Sequence, residues 1–584
     1  MKRKIALLFA IAAATIGAFL LLNGRRTARV PPTDFIPAET GRVVILDSAE
    51  RLGRELSRLA GHRAVKEALA QVGIPSAEGL LDELASRLGA DIRDAKSLTA
   101  AGIDGAAPAY AFTLENKGGA PVIAIPFTSQ DAIRTWLDGR MQALFGGTPR
   151  QGESGTRFLH YVSGESGPVI AAAVMHGGYL YVARGTDGER QLEQALATAA
   201  NTSLSSHRPF HDGALALGRP TLRAFAQLSG VQSSAGLDLS SGAELKAHLA
   251  AEKQTEAART KGSKTYAAEI LTLLAGLSAF QTAPAEITSR LDPEAALLAQ
   301  SGISPLETAQ LFTAIAPKTA GKLGWLLAPT GMTLEKLAAE FQPGAAMSVS
   351  LAPRANLLAL TSLARLRSVS AFDIVHLEFL AKVRDEENIR RFLDAAARSA
   401  PAVGIQVQRF AQDGTFIDSP ASPMDALKGI AAALGVMNQN AAGGSQGGNE
   451  PKASRWVCGF RQGEGFTVEL KEGVLLVAGG GKQVYDALAS RAAAAKVPRD
   501  LGSAGAVLHL DVKQLISSIR AIPESSFGIG GAAIKATLDK WLRTFDGIQS
   551  LRVSASGSGG GALDLTASLE LQDAKTAGSR KAVP

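Results

Sequence analysis

"GGYLYVARG" runs from Gly177 to Gly185, and "EGVLLVAGG" runs from Glu472 to Gly480. Each places a turn-forming pair ahead of an apolar strand and ends in glycine. Each also follows another apolar run, Val169 to Met175 or Phe466 to Leu470. Two strands joined by a tip of this chemistry read as an antiparallel hairpin. Past the closing glycine both runs enter a helical pattern with an Ala-Leu pair, Ala195-Leu196 or Ala487-Leu488. One hairpin-to-helix element is written in both halves of the chain.

Further segments recur around it in the same order. "IRTWLD" (Ile133 to Asp138) returns as "IRRFLD" (Ile389 to Asp394). Each follows an alternating strand, "VIAIPF" (Val122 to Phe127) or "IVHLEFLAKV" (Ile374 to Val383), and a polar cap, Thr128-Ser129 or Asp385. In the longer strand Val375, Leu377, Phe379 and Ala381 fall on one face, and His376, Glu378 and Lys382 on the other. Ile133, Trp136 and Leu137 share a helical stripe, as do Ile389, Phe392 and Leu393. "FIPAETGRVVIL" (Phe35 to Leu46) matches "FQPGAAMSVSL" (Phe341 to Leu351), each a Phe-x-Pro, a small-residue turn and an aliphatic run. "GALALGRPTL" from Gly213 pairs with "GAVLHLDVKQL" from Gly505, and "GLSAF" (Gly276 to Phe280) with "GIQSL" (Gly547 to Leu551).

This order predicts an α+β protein of two homologous modules, 33–300 and 335–572, each an antiparallel sheet with helices on one face. A helical connector is expected at 301–334. The first module carries extra helical sequence near 60–100, and the second an insertion near 415–455. Within the insertion, 437–452 has Gly, Asn, Gln and Ser without apolar periodicity and is expected to be disordered, as is the tail 573–584.

Residues 1–30 set the expected location. Ile5 to Leu22 holds no charge and lies between Lys2-Arg3-Lys4 and Arg25-Arg26. As a helix it reaches about 27 Å, close to a hydrocarbon core. A cleavable signal peptide is the rival reading, but the apolar run continues past "IGA" (Ile16 to Ala18) through Leu22, which favours an uncleaved anchor. The expectation is a single transmembrane span in the inner membrane with the bulk in the periplasm. Elsewhere, 5% aromatic residues and scattered cations in a net charge of +7 argue against a nucleic-acid partner. The single cysteine, Cys458, excludes an intramolecular disulfide and a thiolate zinc cluster.

The anchor, the Phe-x-Pro strand entry, "GID" (Gly102 to Asp104), the strand-to-helix step and "GYLYVARG" together resemble a family of uncharacterised, membrane-anchored bacterial envelope proteins carrying a domain of unknown function. The resemblance covers most of the chain after the anchor. It implies an envelope location and no catalytic residues.

Motifs that carry chemistry fail on inspection. "GGGK" (Gly479 to Lys482) lacks the earlier glycine of a phosphate loop, and Gln483 stands where Ser or Thr is needed. "GGSQG" (Gly443 to Gly447) lacks the strand and helix that strain a nucleophile elbow. "HRPFHD" sets His207 and His211 four apart with Asp212 beside them, the weak candidates for a metal site. Pro209 between them and an expected strand afterwards argue for a loop instead. Cys458 reads as a buried, inert thiol. Asp131, Asp138, Asp385 and Asp394 recur in both modules at expected helix starts and ends, where capping accounts for them, and Asp138 and Asp394 also read as a paired surface feature.

No catalytic residue, cofactor or metal is therefore expected. The function expected is a non-enzymatic binding or structural protein of the envelope, with an apolar inter-module groove for lipid or a protein partner. A hydrolase with a dispersed active site and an assembly or chaperone-like factor are the alternatives.

Overall fold

The structure is a computed structural model. It describes residues 30–251, 283–352, 371–418 and 452–572, with breaks at 39, 41, 72–75, 115–120, 152–156, 164–166, 229–230, 241, 328–329, 404, 461–464, 492–500, 502–503, 528–530 and 558–561. Ile5 to Leu22, "GLSAF", "GGSQG", the stretch 437–451 and the tail 573–584 lie outside the described residues. Among the described residues no helix is long and apolar enough to cross a membrane. The chain divides into two units, residues 1–272 with 564–584, and residues 273–563.

In the first unit the elements run β1 (Arg42–Leu46), α1 (Ala49–Gly61), α2 (Arg63–Gln71), α3 (Ala77–Leu88), α4 (Ala95–Ala100), β2 (Ala109–Thr113), β3 (Val122–Pro126) and α5 (Gln130–Phe145). There follow β4 (Gly147–Gln151), β5 (Leu159–Ser163), β6 (Val169–His176), β7 (Tyr179–Arg184), α6 (Gly188–Leu196), α7 (Arg208–Leu217), β8 (Leu222–Leu228), β9 (Val231–Asp238) and β10 (Gly242–Ala251). Antiparallel ladders set the order β4-β5-β6-β7-β3-β2-β1-β8-β9-β10.

Alternation along these strands feeds two cores. Leu46, Ile125 and Leu180 pack with Leu52, Leu84, Ile133 and Leu137 of α1, α3 and α5. Val43, Phe112, Val122 and Tyr181 pack with Leu192 of α6 and Phe210 of α7. Helices thus cover both faces of this sheet, not one as expected. The near-continuous apolar character of "YLYVA" records that double burial.

The second unit runs α8 (Ala285–Thr288), β11 (Leu297–Ser301), α9 (Pro305–Ile315), α10 (Pro317–Leu327), α11 (Leu334–Ala339), β12 (Phe341–Leu351), β13 (Val375–Val383), α12 (Glu386–Ser399), β14 (Ile405–Ala411) and β15 (Phe416–Asp418). It continues with β16 (Ala453–Phe460), β17 (Phe466–Lys471), β18 (Val474–Gly479), α13 (Lys482–Ser490), β19 (Ala506–Asp511), α14 (Val512–Ala521), α15 (Gly531–Leu542) and β20 (Ile548–Gly557). Its ladders set β15-β14-β16-β17-β18-β13-β12-β11-β19-β20, again antiparallel. The final strand, β21 (Ala562–Leu571), pairs with β10 and counts from Asp564 on with the first unit.

Strand for strand, β14, β16, β17, β18, β13, β12, β11, β19 and β20 repeat the order of β4, β5, β6, β7, β3, β2, β1, β8 and β9. The matching hairpins turn through Gly177-Gly178 (φ 57° and 81°) and Glu472-Gly473 (φ 53° and 73°), the left-handed pairs of a two-residue loop. Ser129 and Asp385 cap α5 and α12, each side chain accepting from backbone N–H groups of the first turn.

The order also corrects the sequence matching. "FQPGAAMSVSL" forms β12, which takes the place of β2, whereas "FIPAETGRVVIL" leads into β1, whose place is taken by β11. A Phe-x-Pro entry records how a chain approaches a strand, and pairing decides where the strand lies. The stretch 301–334 contains α9 and α10 and belongs to the second unit; with α11 these stand where α1 to α4 stand in the first. "GALAL" lies in α7, while its supposed match forms β19.

Candidate functional site

The ladders allow the two cores to be compared residue by residue. In the first unit Ala183, Val122, Phe112, Val43 and Phe225 form one row across β7, β3, β2, β1 and β8, all within the apolar core. The corresponding row in the second unit is Ala478, Glu378, Ser348, Leu298 and His509. Glu378 replaces a valine, Ser348 and His509 replace phenylalanines, and all three are buried.

An ionised carboxylate out of water needs a cation and further donors. Glu378 accepts from the Ser348 hydroxyl at 2.7 Å, the Asp292 backbone N–H at 2.8 Å, and Arg491 Nη1 at 2.7 and 2.8 Å. Arg491, just past the end of α13, also donates to the Arg290 carbonyl at 3.1 Å. The cluster joins strands β12 and β13 to the segments after α8 and α13. It also refines the reading of β13: on the face expected to be polar, Glu378 and Leu380 are buried and His376 and Lys382 half-buried, while on the other face Leu377 and Phe379 are half-buried and Ala381 is buried. Alternation finds two faces but cannot say that a carboxylate points inward.

A second charged cluster closes one end of the first unit's sheet. Arg51 of α1 donates to Glu55 at 2.7 Å, to Asp238 at 3.1 Å and to the Arg219 carbonyl at 2.9 Å. Glu55 also accepts from the Thr221 hydroxyl. Burial would raise the Asp238 carboxyl, but its bonds from Ser240 and the Arg51 charge hold it below the ordinary aspartate value. Every acid named here faces a donor within the cluster, so the arrangement ties α1 to β8 and β9.

His207, His211 and Asp212 do not converge. His207 precedes α7 and stands edge-on to Phe225, with ring centroids 6.1 Å apart. His211 Nε2 meets the Ser205 carbonyl, and Asp212 lies 3.6 Å from Arg208. The expected loop is a helix, because Pro209 falls in its first turn, where a missing N–H costs nothing. Among the described residues no group of three His, Cys, Asp or Glu side chains is arranged to hold a metal.

Asp138 and Asp394 face the sheets rather than the surface. Asp138 accepts from the buried Tyr161 hydroxyl at 2.7 Å, and Asp394 from the buried Trp456 Nε1 at 3.0 Å. They lie inside α5 and α12, not at helix ends, and in each unit a strand aromatic locks the helix through that carboxylate. In "GGGK" the Gly480 and Gly481 N–H groups both donate to the Gly465 carbonyl, at 3.1 and 3.3 Å. A phosphate would find those donors occupied. Cys458 lies buried in β16, and burial pushes its thiol up to about 12.

One open feature among the described residues is apolar. Ala533, Ile534, Thr537, Leu538 and Trp541 of α15 line a shallow groove facing solvent. Trp541 is 54% exposed and Ile534 41%, large values for such side chains. Trp541 is braced edge-on by Phe545, with centroids 4.9 Å apart. The helical spacing of these residues is visible in "AAIKATLDKWL", but which face is left uncovered is not.

No protein-family model, curated protein or solved structure matches the chain.

Proposed function

We propose that this chain is a non-enzymatic binding or structural protein of the bacterial envelope, a duplicated α+β body held on the periplasmic side of the inner membrane by the segment Ile5 to Leu22. The observation that carries the reading is the contrast between the charged clusters and the open surface. Glu378, Arg491, Arg51, Glu55 and Asp238 are spent on holding elements together, while the exposed groove on α15 offers hydrophobic contact. A surface of that kind binds through area removed from water rather than through reacting groups. The shared strand order supports descent of both units from one module, and the resemblance to anchored envelope proteins points the same way.

Two measurements test the reading together. Protease treatment of spheroplasts should degrade the body while leaving cytoplasmic markers intact, and mass spectrometry of the purified intact chain should find a stoichiometric lipid or protein. A protected body would refute the location. A chain that purifies alone and turns over a chromogenic ester or glycoside, with loss of turnover on a single substitution, would refute the non-enzymatic assignment.

A further inference from the structure

Among the described residues, nothing stands between β8 and β9 of the first unit where α14 and α15 stand in the second. There, β8 runs directly into β9, with Leu228 paired to Val231. In the second unit the equivalent strands β19 and β20 are separated by residues 512–547, and this addition carries the exposed groove.

Its charges are arranged unevenly. Lys540, beside the apolar stripe, and Arg543, just past the end of α15, are both exposed. Asp539 lies on the opposite side of α15 and turns Oδ1 out of solvent, while Lys535 folds back to donate to the Ile522 carbonyl at 2.9 Å. Arg520 is neutralised by Asp546 at 2.6 Å. The nearest exposed acid before the helix, Glu524, lies toward its N-terminal end, away from Trp541. The outward face therefore combines Trp541 and Ile534, over the half-buried Leu538, with two cations at the tryptophan end.

We propose that this face of α15 seats the second unit on the surface of an anionic phospholipid bilayer. Tryptophan favours the boundary between headgroups and acyl chains, and a helix with an apolar stripe edged by cations lies in that plane. Lys540 and Arg543 reach the phosphates while Trp541 and Ile534 enter the acyl boundary. This contact is additional to the N-terminal span and goes beyond the general binding role proposed above, because it assigns a lipid surface to one helix.

The test uses the full-length chain reconstituted in phosphatidylglycerol-containing vesicles, some made with acyl-brominated lipid, which quenches tryptophan at the boundary. The proposal expects bromolipid quenching of wild-type emission that is largely lost in W541F and reduced in K540E/R543E. Quenching that W541F leaves unchanged would overturn it, since the signal would then arise elsewhere. Wild-type emission unaffected by bromolipid would also overturn it. If Trp541 were shielded from aqueous acrylamide yet untouched by bromolipid, a protein surface rather than lipid would cover the face. W541F retains an aromatic ring, and an unchanged circular dichroism spectrum would show that folding is intact.

Discussion

Replacing Arg491 by methionine removes the cation from a carboxylate buried where the first unit carries Val122. Glu378 would keep the Ser348 hydroxyl and the Asp292 N–H, two neutral donors. Removing one partner of a buried pair costs ~3–5 kcal/mol, largely the penalty of the stranded charge. The Arg491 side chain is 25% exposed and water reaches its outer edge, so the lower end applies, ~3 kcal/mol. In E378V/R491M the row becomes apolar as in the first unit, and the net cost should fall to ~1 kcal/mol or less, since isosteric hydrophobic replacement of an ion pair is often neutral. Adding E378V to R491M should therefore recover ~2 kcal/mol. Urea unfolding followed by tryptophan emission in a W136F background reports the second unit, because the remaining tryptophans, Trp325, Trp456 and Trp541, lie there. Equal destabilisation of R491M and E378V/R491M would refute the reasoning, because the loss would then be packing rather than a stranded carboxylate.

Other outcomes follow from the same geometry. Cys458 should resist Ellman's reagent at pH 8 in the native chain and react on unfolding; rapid native labelling would contradict its burial. Burial holds Tyr110 up to about 12 and raises Tyr161, Tyr181 and Tyr485, Tyr161 with the added effect of Asp138. A raised native value means the unfolded chain loses its protons first, so this stabilisation is intact below about pH 10 and declines above it, by ~1.4 kcal/mol per pH unit for each tyrosine still protonated when folded. Absorbance at 295 nm should show most of these phenols ionising only on alkaline unfolding, whereas smooth titration of the native chain near pH 10 would count against it. Y161F should cost ~1.5–3 kcal/mol in thermal or urea unfolding, the range for a hydrogen bond to a charged group, and an unchanged stability would show that Tyr161 does not hold α5 through Asp138.

The hairpins, the capped helices α5 and α12 and the α+β class were legible because each rests on local chemistry. Glycine fits the left-handed turn, Ser129 and Asp385 cap, and Ile133, Trp136 and Leu137 mark one helical face. The strand equivalences were only partly legible, since β1, β2, β11 and β12 are short aliphatic runs that differ in their partners rather than their composition. Pairing between β11 and β19 joins residues about two hundred positions apart, which no local pattern encodes. Glu378 was named on a polar face because alternation treats a carboxylate as solvent-facing, and Arg491, its counter-charge, lies far along the chain. The exposure of Trp541 depends on what packs over α15, which periodicity does not specify.

Whether the second unit repeats the first from β11 onward can be tested by cross-linking. In a C458S chain, cysteine pairs L298C/H509C and A299C/L508C stand at successive rungs of the β11–β19 ladder. One of the two rungs has the spacing a disulfide needs. Closure of one pair on mild oxidation of the native protein is the predicted result. Failure of both pairs, with native circular dichroism retained, would contradict the shared strand order.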